Sequence, residues 1–349
     1  MNNSFWGEGF TDWVTTRNAT SLYPKHKQPF LPSDLGFYDL SDPKILIRQS
    51  EIARKYGVNG FGFYHYFFDE DTPALNIPIN NLRNNPGIDV EYFICWVNAD
   101  WTKSWCGDEK TIIYEQKYTN STIDKLAENA CWHFQDSRYA KFDGKPIFYI
   151  HEPNQLNINE FKQRFLKISS AHGFPNVLFA SPYNYVSQEN EKEFDFLLGY
   201  PPGDARLNGI YAKLKIQNII RTIPIFKLII DQLNLFQKIS VISYPEYAVK
   251  YAKYLDSKIH LKKYIPTILS GWDNTPRYGT RGFVFEDFNS QDFGRLLSHA
   301  YGRSIEYNKE FIMIKAWNEW AEGNVLEPSQ RFQYSILETL RHAKETFHV

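Results

Sequence analysis

Short apolar runs separated by longer amphipathic segments set the strongest limit on how this chain folds. Phe61 to Tyr66, Tyr92 to Trp96, Ile147 to Ile150, Val177 to Ala180, Phe194 to Tyr200, Tyr264 to Leu269 and Phe311 to Ala316 read as buried strands. Between them, Pro43 to Tyr56, Ile123 to Phe134, Ile158 to Ala171, Tyr244 to Leu255 and Ser290 to Tyr301 read as helices. Such alternation predicts a parallel α/β fold, and seven strands stand one short of a closed eight-stranded barrel. No repeat, low-complexity tract or linker divides the 349 residues. A single domain over residues 1–349 is therefore expected, with a helical insertion at about 204–243.

Charge and cysteine usage narrow the function. Lys and Arg number 39 against 40 Asp and Glu, giving a net charge of -1 with no basic block, which excludes nucleic acid as a partner. Cys95, Cys106 and Cys131 lack CxxC spacing, so neither a disulfide framework nor a zinc site is expected. No haem, flavin or nicotinamide motif is visible, and no cofactor or metal is expected. The stretch from Ile219 to Ile242 is interrupted by Arg221, Lys227, Asp231 and Lys238, too many charges for a bilayer span. It reads as a helix packed on the barrel, with peripheral contact to a membrane surface as the alternative. The N-terminus shows neither the basic region nor the apolar stretch of a secretory signal, so a cytoplasmic location is expected.

The chemistry concentrates in Trp317-Asn318-Glu319-Trp320-Ala321-Glu322-Gly323, directly after the last apolar run. Polar residues there lie at the C-terminal end of a parallel strand, where α/β folds build their active sites. Cleaving a glycosidic bond needs one carboxyl to protonate the leaving oxygen and a second to act as nucleophile or base. Glu319 and Glu322, three positions apart, supply such a pair, and Trp317 and Trp320 offer apolar surface for a sugar ring and desolvation for a carboxyl. Other strand ends bring Tyr64, His65 and Tyr66, then Trp96, Asn98 and Trp101, then Trp272, Asp273 and Asn274. Their convergence on one rim predicts a polar, aromatic-lined cleft for an oligo- or polysaccharide.

Across almost its whole length the chain resembles the WbsX-like group, which belongs with the glycoside hydrolase family 99-like domains of bacterial surface-polysaccharide and lipopolysaccharide O-antigen biosynthesis. The likeness is carried by Phe5-Trp6-Gly7-Glu8-Gly9-Phe10-Thr11-Asp12-Trp13, by Leu31 to Asp39, by Gly60 to Tyr66, by Trp101-Thr102-Lys103-Ser104-Trp105, by Gly271 to Thr275 and by Trp317 to Gly323. The resemblance implies a (β/α)8 barrel of the TIM type and retaining, endo-acting chemistry on α-linked, mannose-type glycans, by hydrolysis or transglycosylation. It makes Glu319 the base toward the substrate's own 2-hydroxyl and Glu322 the general acid/base, and it adds Trp6 to the substrate-binding set. Members usually carry one more strand ahead of the Phe-Trp-Gly motif, so the barrel is expected to lack its first strand or to have it incomplete. Their Asn-Glu-Asn-Trp reads Asn98-Ala99-Asp100-Trp101 here, and Cys106 and Gly203 replace an expected Asp and His. Two further readings stand beside this one. The first is a glycosyltransferase using an activated sugar, with Asp69-Glu70-Asp71 as a metal and diphosphate site. The other is a glycan-binding relative without turnover.

Overall fold

The computed structural model describes residues 5, 7–71, 73–103, 110–204 and 239–348. Its frame is a set of parallel strands: β1 (Gly60–Phe67), β2 (Glu91–Trp96), β3 (Lys145–Ile150), β4 (Leu178–Pro182), β5 (Phe196–Leu198), β6 (Tyr264–Ile265), β7 (Thr267–Leu269) and β8 (Met313–Lys315). Each pairs with the next in chain order from β1 to β6. β6 and β7 are one run broken at Pro266, whose missing N–H cannot serve a ladder, and β7 continues the order into β8. These are the seven runs read from the sequence, arranged as a (β/α)-type barrel.

The barrel does not close through hydrogen bonds among the described residues. Among the described residues nothing pairs with the outer edge of β8, and that of β1 is covered only at its end, where Tyr66 and Phe67 pair with Ala74 and Pro73. Side chains bridge this seam instead, with the rings of Phe61 and Trp317 at 5.0 Å. Among the described residues no barrel strand lies between β1 and β8.

Helices form where capping and apolar spacing agree. The helix Pro43–Lys55 starts with Asp42 accepting from the Lys44 N–H and Pro43 in its first turn, and buries Leu46, Gln49, Ser50 and Ala53 at three- and four-residue intervals. Thr119, Asn157, Ser243 and Asn289 cap Asn120–Phe134, Ile158–Ala171, Tyr244–Lys258 and Ser290–Glu306 in the same way. Most of the described core falls into two clusters, one around β1 to β5 and one gathering Tyr244–Lys258, Ser290–Glu306 and the final helix Ser335–Phe347 around β7.

Two elements differ from expectation. Phe283–Glu286 is a strand, paired in parallel with Ser240–Ser243. The latter falls in the segment read as a helical insertion; positions 205–238 of that segment lie outside the described residues, as do Trp6, Trp105 and Cys106. Among the described residues no helix is long and apolar enough to cross a membrane.

Candidate active site

The Glu319 and Glu322 carboxylates are presented by a tight local fold. Asn318 and Glu319 pair antiparallel with Asn324 and Val325, and Trp320 to Glu322 form a single 3-10 turn between them. Gly323 ends that turn in the left-handed region at φ 58°, and a Cβ there would stand 3.0 Å from both the nitrogen and the Cβ of Asp273. Only glycine suits both demands.

Asp273 fixes the same turn from the neighbouring strand end. Its N–H donates to the Glu322 carbonyl at 2.6 Å. Its carboxylate accepts from Gln28 Nε2 at 2.6 Å and from the Thr275 hydroxyl at 2.6 Å, and pairs with His26 Nε2 at 2.8 Å. Asn274 likewise spends its side-chain oxygen on the Phe283 N–H. Both residues, expected to touch substrate, are committed to holding the loop.

Arg277 organises the acidic centre. Nη1 donates to Glu322 Oε1 at 2.8 Å, and Nη2 reaches Asp12 Oδ2 at 3.0 Å and Glu319 Oε2 at 3.5 Å. One guanidinium touching both glutamates keeps their carboxyl groups within roughly 9 Å of each other, the range glycosidic chemistry uses. Burial opposes the charge of Arg277, yet Glu322, Asp12 and Glu319 together hold its pKa above the ordinary value. Burial also pushes Glu319 up to about 7, helped by the adjacent Glu322 charge and opposed by Arg277. Beneath the turn, burial raises Glu327 to about 7, although Trp320 Nε1, Tyr38 Oη and Gln49 Nε2 all donate to it.

These groups open on a cavity of about 2060 Å³ that follows the seam from the rim bearing Glu319 and Glu322 down to Asn59, Glu310 and Lys344. Tyr64, Tyr66, Trp101, Trp272, Trp317, Asn318, Glu319, Trp320 and Glu322 all line it. Several of these are otherwise engaged. Trp320 is only 3% exposed, packed on Phe30 and Trp13 with its N–H on Glu327, so it is a floor and not a sugar platform. Asn318 donates to Tyr38 Oη. Trp101 stacks in a series with Tyr66, Phe68 and Tyr114.

His65, Trp96 and Asn98 lie away from the cavity. His65 is 2% exposed on the outer face of β1, where burial lowers its pKa to about 4, whereas Tyr64 beside it is 37% exposed and faces inward. Trp96 is fully buried against Phe161, and Asn98 clamps Glu152 through paired bonds of 2.7 and 2.8 Å. In place of these, the structure brings in Asp12, Arg277, Lys315, His151, Tyr185 and Tyr200. Asp12 sits inside the first motif and Arg277 two residues after Thr275, close to residues already singled out, but nothing local marks either as the other's partner.

The acidic triplet of the transferase reading is used locally. Asp69 pairs with Lys117 at 2.9 Å, Glu70 accepts from the Thr122 hydroxyl, and the Asp71 N–H donates to Asp69. Among the described residues no group of three or more His, Cys, Asp or Glu is arranged to hold a metal ion.

Comparison with known proteins places these features in context. A family model described as Glycosyltransferase WbsX matches residues 1–340. Proteins named WxcX, described as uncharacterized, from two strains of Xanthomonas campestris pv. campestris are each 25% identical over 98% of this chain. The chain spans about half the length of these curated relatives, 47% in each case. Among solved structures, a GH99 endo-alpha-mannosidase from Bacteroides thetaiotaomicron, bound to BIS-TRIS-propane, aligns with a TM-score of 0.58 at 16% identity, covering 100% of this chain and 94% of that one. A protein described as glycoside hydrolase-like aligns with a TM-score of 0.55 at 13% identity, covering 96% and 99%. At these identities the likeness is one of fold.

Proposed function

The chain belongs to the WbsX glycosyltransferase family, and from that premise we propose that it is a glycan-active enzyme of bacterial surface-polysaccharide metabolism, a retaining, endo-acting glycosidase or transglycosylase on α-linked, mannose-type glycans. One observation carries the reading: Glu319 and Glu322 share one cavity and one arginine at the C-terminal end of a parallel barrel. The endo-alpha-mannosidase named above supports the linkage type by its fold.

In this reading Glu319 removes the proton of the substrate's 2-hydroxyl, and that oxygen attacks the anomeric carbon to form a 1,2-anhydro sugar. Glu322 protonates the departing glycosidic oxygen. Water or an acceptor hydroxyl, deprotonated by Glu322, then opens the anhydro ring, and Glu319 returns the proton to the 2-oxygen. A base whose pKa lies near 7 is matched to neutral conditions, as Glu319 is. Loading requires substrate to replace the Arg277 contact on Glu322.

The test is incubation of the parent protein, Glu319→Gln and Glu322→Gln with the producing cell's surface polysaccharide and its lipid-linked precursor, at the inner face of whose membrane the enzyme would work, reading products by mass spectrometry. Shortened or rearranged glycans from the parent alone are expected. Undiminished product from Glu322→Gln sinks the assignment. Product formed only when a nucleotide sugar is added, and abolished by chelation, would move the assignment to the transferase that the family description names.

A further inference from the structure

Among the described residues, two cations act on Glu319, and one of them, Arg277, is ion-paired with carboxylates. Arg277 is shared among Asp12, Glu319 and Glu322. Lys315, the last residue of β8, forms no carboxylate ion pair among the described residues; its Nζ lies 4.0 Å over the Tyr200 ring and 5.2 Å from the Trp272 ring. It is partly accessible and lines the cavity beside Tyr64, His151 and Tyr185. Burial disfavours its charge, but Tyr200, Glu322 and Glu319 outweigh this and hold its pKa above the usual lysine value. His151 adds no positive charge, because burial and Lys315 itself lower it to about 4. The corner therefore offers one ammonium among aromatic faces of the kind that stack on sugar rings.

We propose that Lys315 marks a subsite for a sugar carboxylate, a hexuronic acid unit of the glycan on which the Glu319 and Glu322 centre acts. The proposal rests on the glycan-active reading above and deepens it. A single ammonium matches a singly charged carboxylate; a phosphate dianion calls for a second cation or a set of backbone N–H donors. Arg277 meets Asp12, Glu319 and Glu322 in direct ion pairs, whereas Lys315 acts on the glutamates only from a distance, which leaves its ammonium open to direct contact with a ligand carboxylate.

Binding is measured on the full chain carrying Glu322→Gln, so that the result does not depend on turnover. The probes are methyl α-hexuronosides, the matching neutral methyl α-hexosides and the matching 6-phosphates, each in manno, gluco and galacto configuration, titrated by ligand-observed NMR. The expected result is a uronide preference of about tenfold over the neutral sugar in at least one configuration. Adding Lys315→Met should abolish that preference and Lys315→Arg should retain it. Removing the lysine and removing the carboxyl should be non-additive in that cycle. Uronides and neutral sugars within twofold of each other in all three configurations overturn the proposal. So does a preference that survives Lys315→Met, or a 6-phosphate that binds tighter than its uronide. If neutral sugars bind with no uronide preference and the parent still cleaves glycan, the subsite fails while the enzyme assignment stands. If uronides bind selectively and no glycan is ever processed, the reverse holds.

Discussion

Arg277 Nη1 donates to Glu322 Oε1 at 2.8 Å, and the second nitrogen of the same guanidinium reaches Glu319. Replacing Arg277 with Met removes the cation that stabilises charge between the two glutamates and is expected to lower kcat about 100-fold. Arg277 pulls the Glu319 pKa downward, so its loss lets that pKa rise. If Glu319 acts as the ionised base, the ascending limb of the pH profile of kcat/KM moves to higher pH. A profile that keeps its position would show that Arg277 is not coupled to Glu319.

Glu319→Gln is expected to stabilise the protein at alkaline pH. The Glu319 pKa rises from 4.5 to about 7 on folding, so between those values the native state binds more protons than the unfolded chain. This contribution is fully present below about 4.5 and is lost as pH rises through 7. Melting temperatures of parent and variant should therefore diverge in favour of the variant between pH 5 and pH 8. Parallel curves would contradict the buried, raised carboxyl.

His65→Phe tests the opposite sign. Burial lowers His65 to about 4 and His133, whose ring lies 6.4 Å away, to about 3. The unfolded chain binds more protons between these values and 6.5, so the native state loses stability as pH falls through that window. His65→Phe should shrink the drop in melting temperature between pH 7 and pH 4.5. Because His65 faces away from the cavity, KM for glycan should change less than about twofold, whereas Tyr64→Phe should raise it.

Gly323→Ala combines a left-handed backbone with a contact 3.0 Å from Asp273. The conformational cost is about 1–2 kcal/mol before the clash is counted. Chemical denaturation should show at least that loss, and because the turn carries Glu322, kcat should fall more than KM rises. Wild-type stability in this variant would mean that the turn relaxes freely.

The division between what the sequence reveals and what it hides follows from range. All seven barrel strands were legible because buried strands are short apolar runs, and the paired carboxyls of Glu319 and Glu322 were legible as a candidate because they directly follow one of them. Alternation along a strand also explains the misplaced members of the site. Tyr64 and Tyr66 share the inner face of β1, which puts His65 outside, and Cys95 and Val97 turn inward on either side of Trp96. The pairing of Arg277 with Asp12 joins positions 265 residues apart, and no local pattern announces such a partner. Asp273 and Asn274 sit where substrate contacts were expected, but their acceptors are consumed by His26, Gln28 and Phe283, which only the tertiary fold discloses.

The seam between β1 and β8 bears on mechanics as well as topology. Tyr64 stands on one lip and Glu319 follows the other, and ring contacts such as that of Phe61 with Trp317 join the lips where a closed barrel would have a ladder of hydrogen bonds. Side-chain contacts yield to small displacements more readily than a hydrogen-bonded ladder, so among the described residues the span from the aromatic wall to the Glu319 and Glu322 carboxylates is joined more compliantly than the paired strands. Like the jaws of a calliper, the two lips set the width open to a glycan chain, and the Arg277 contact on Glu322 is what an incoming chain then displaces.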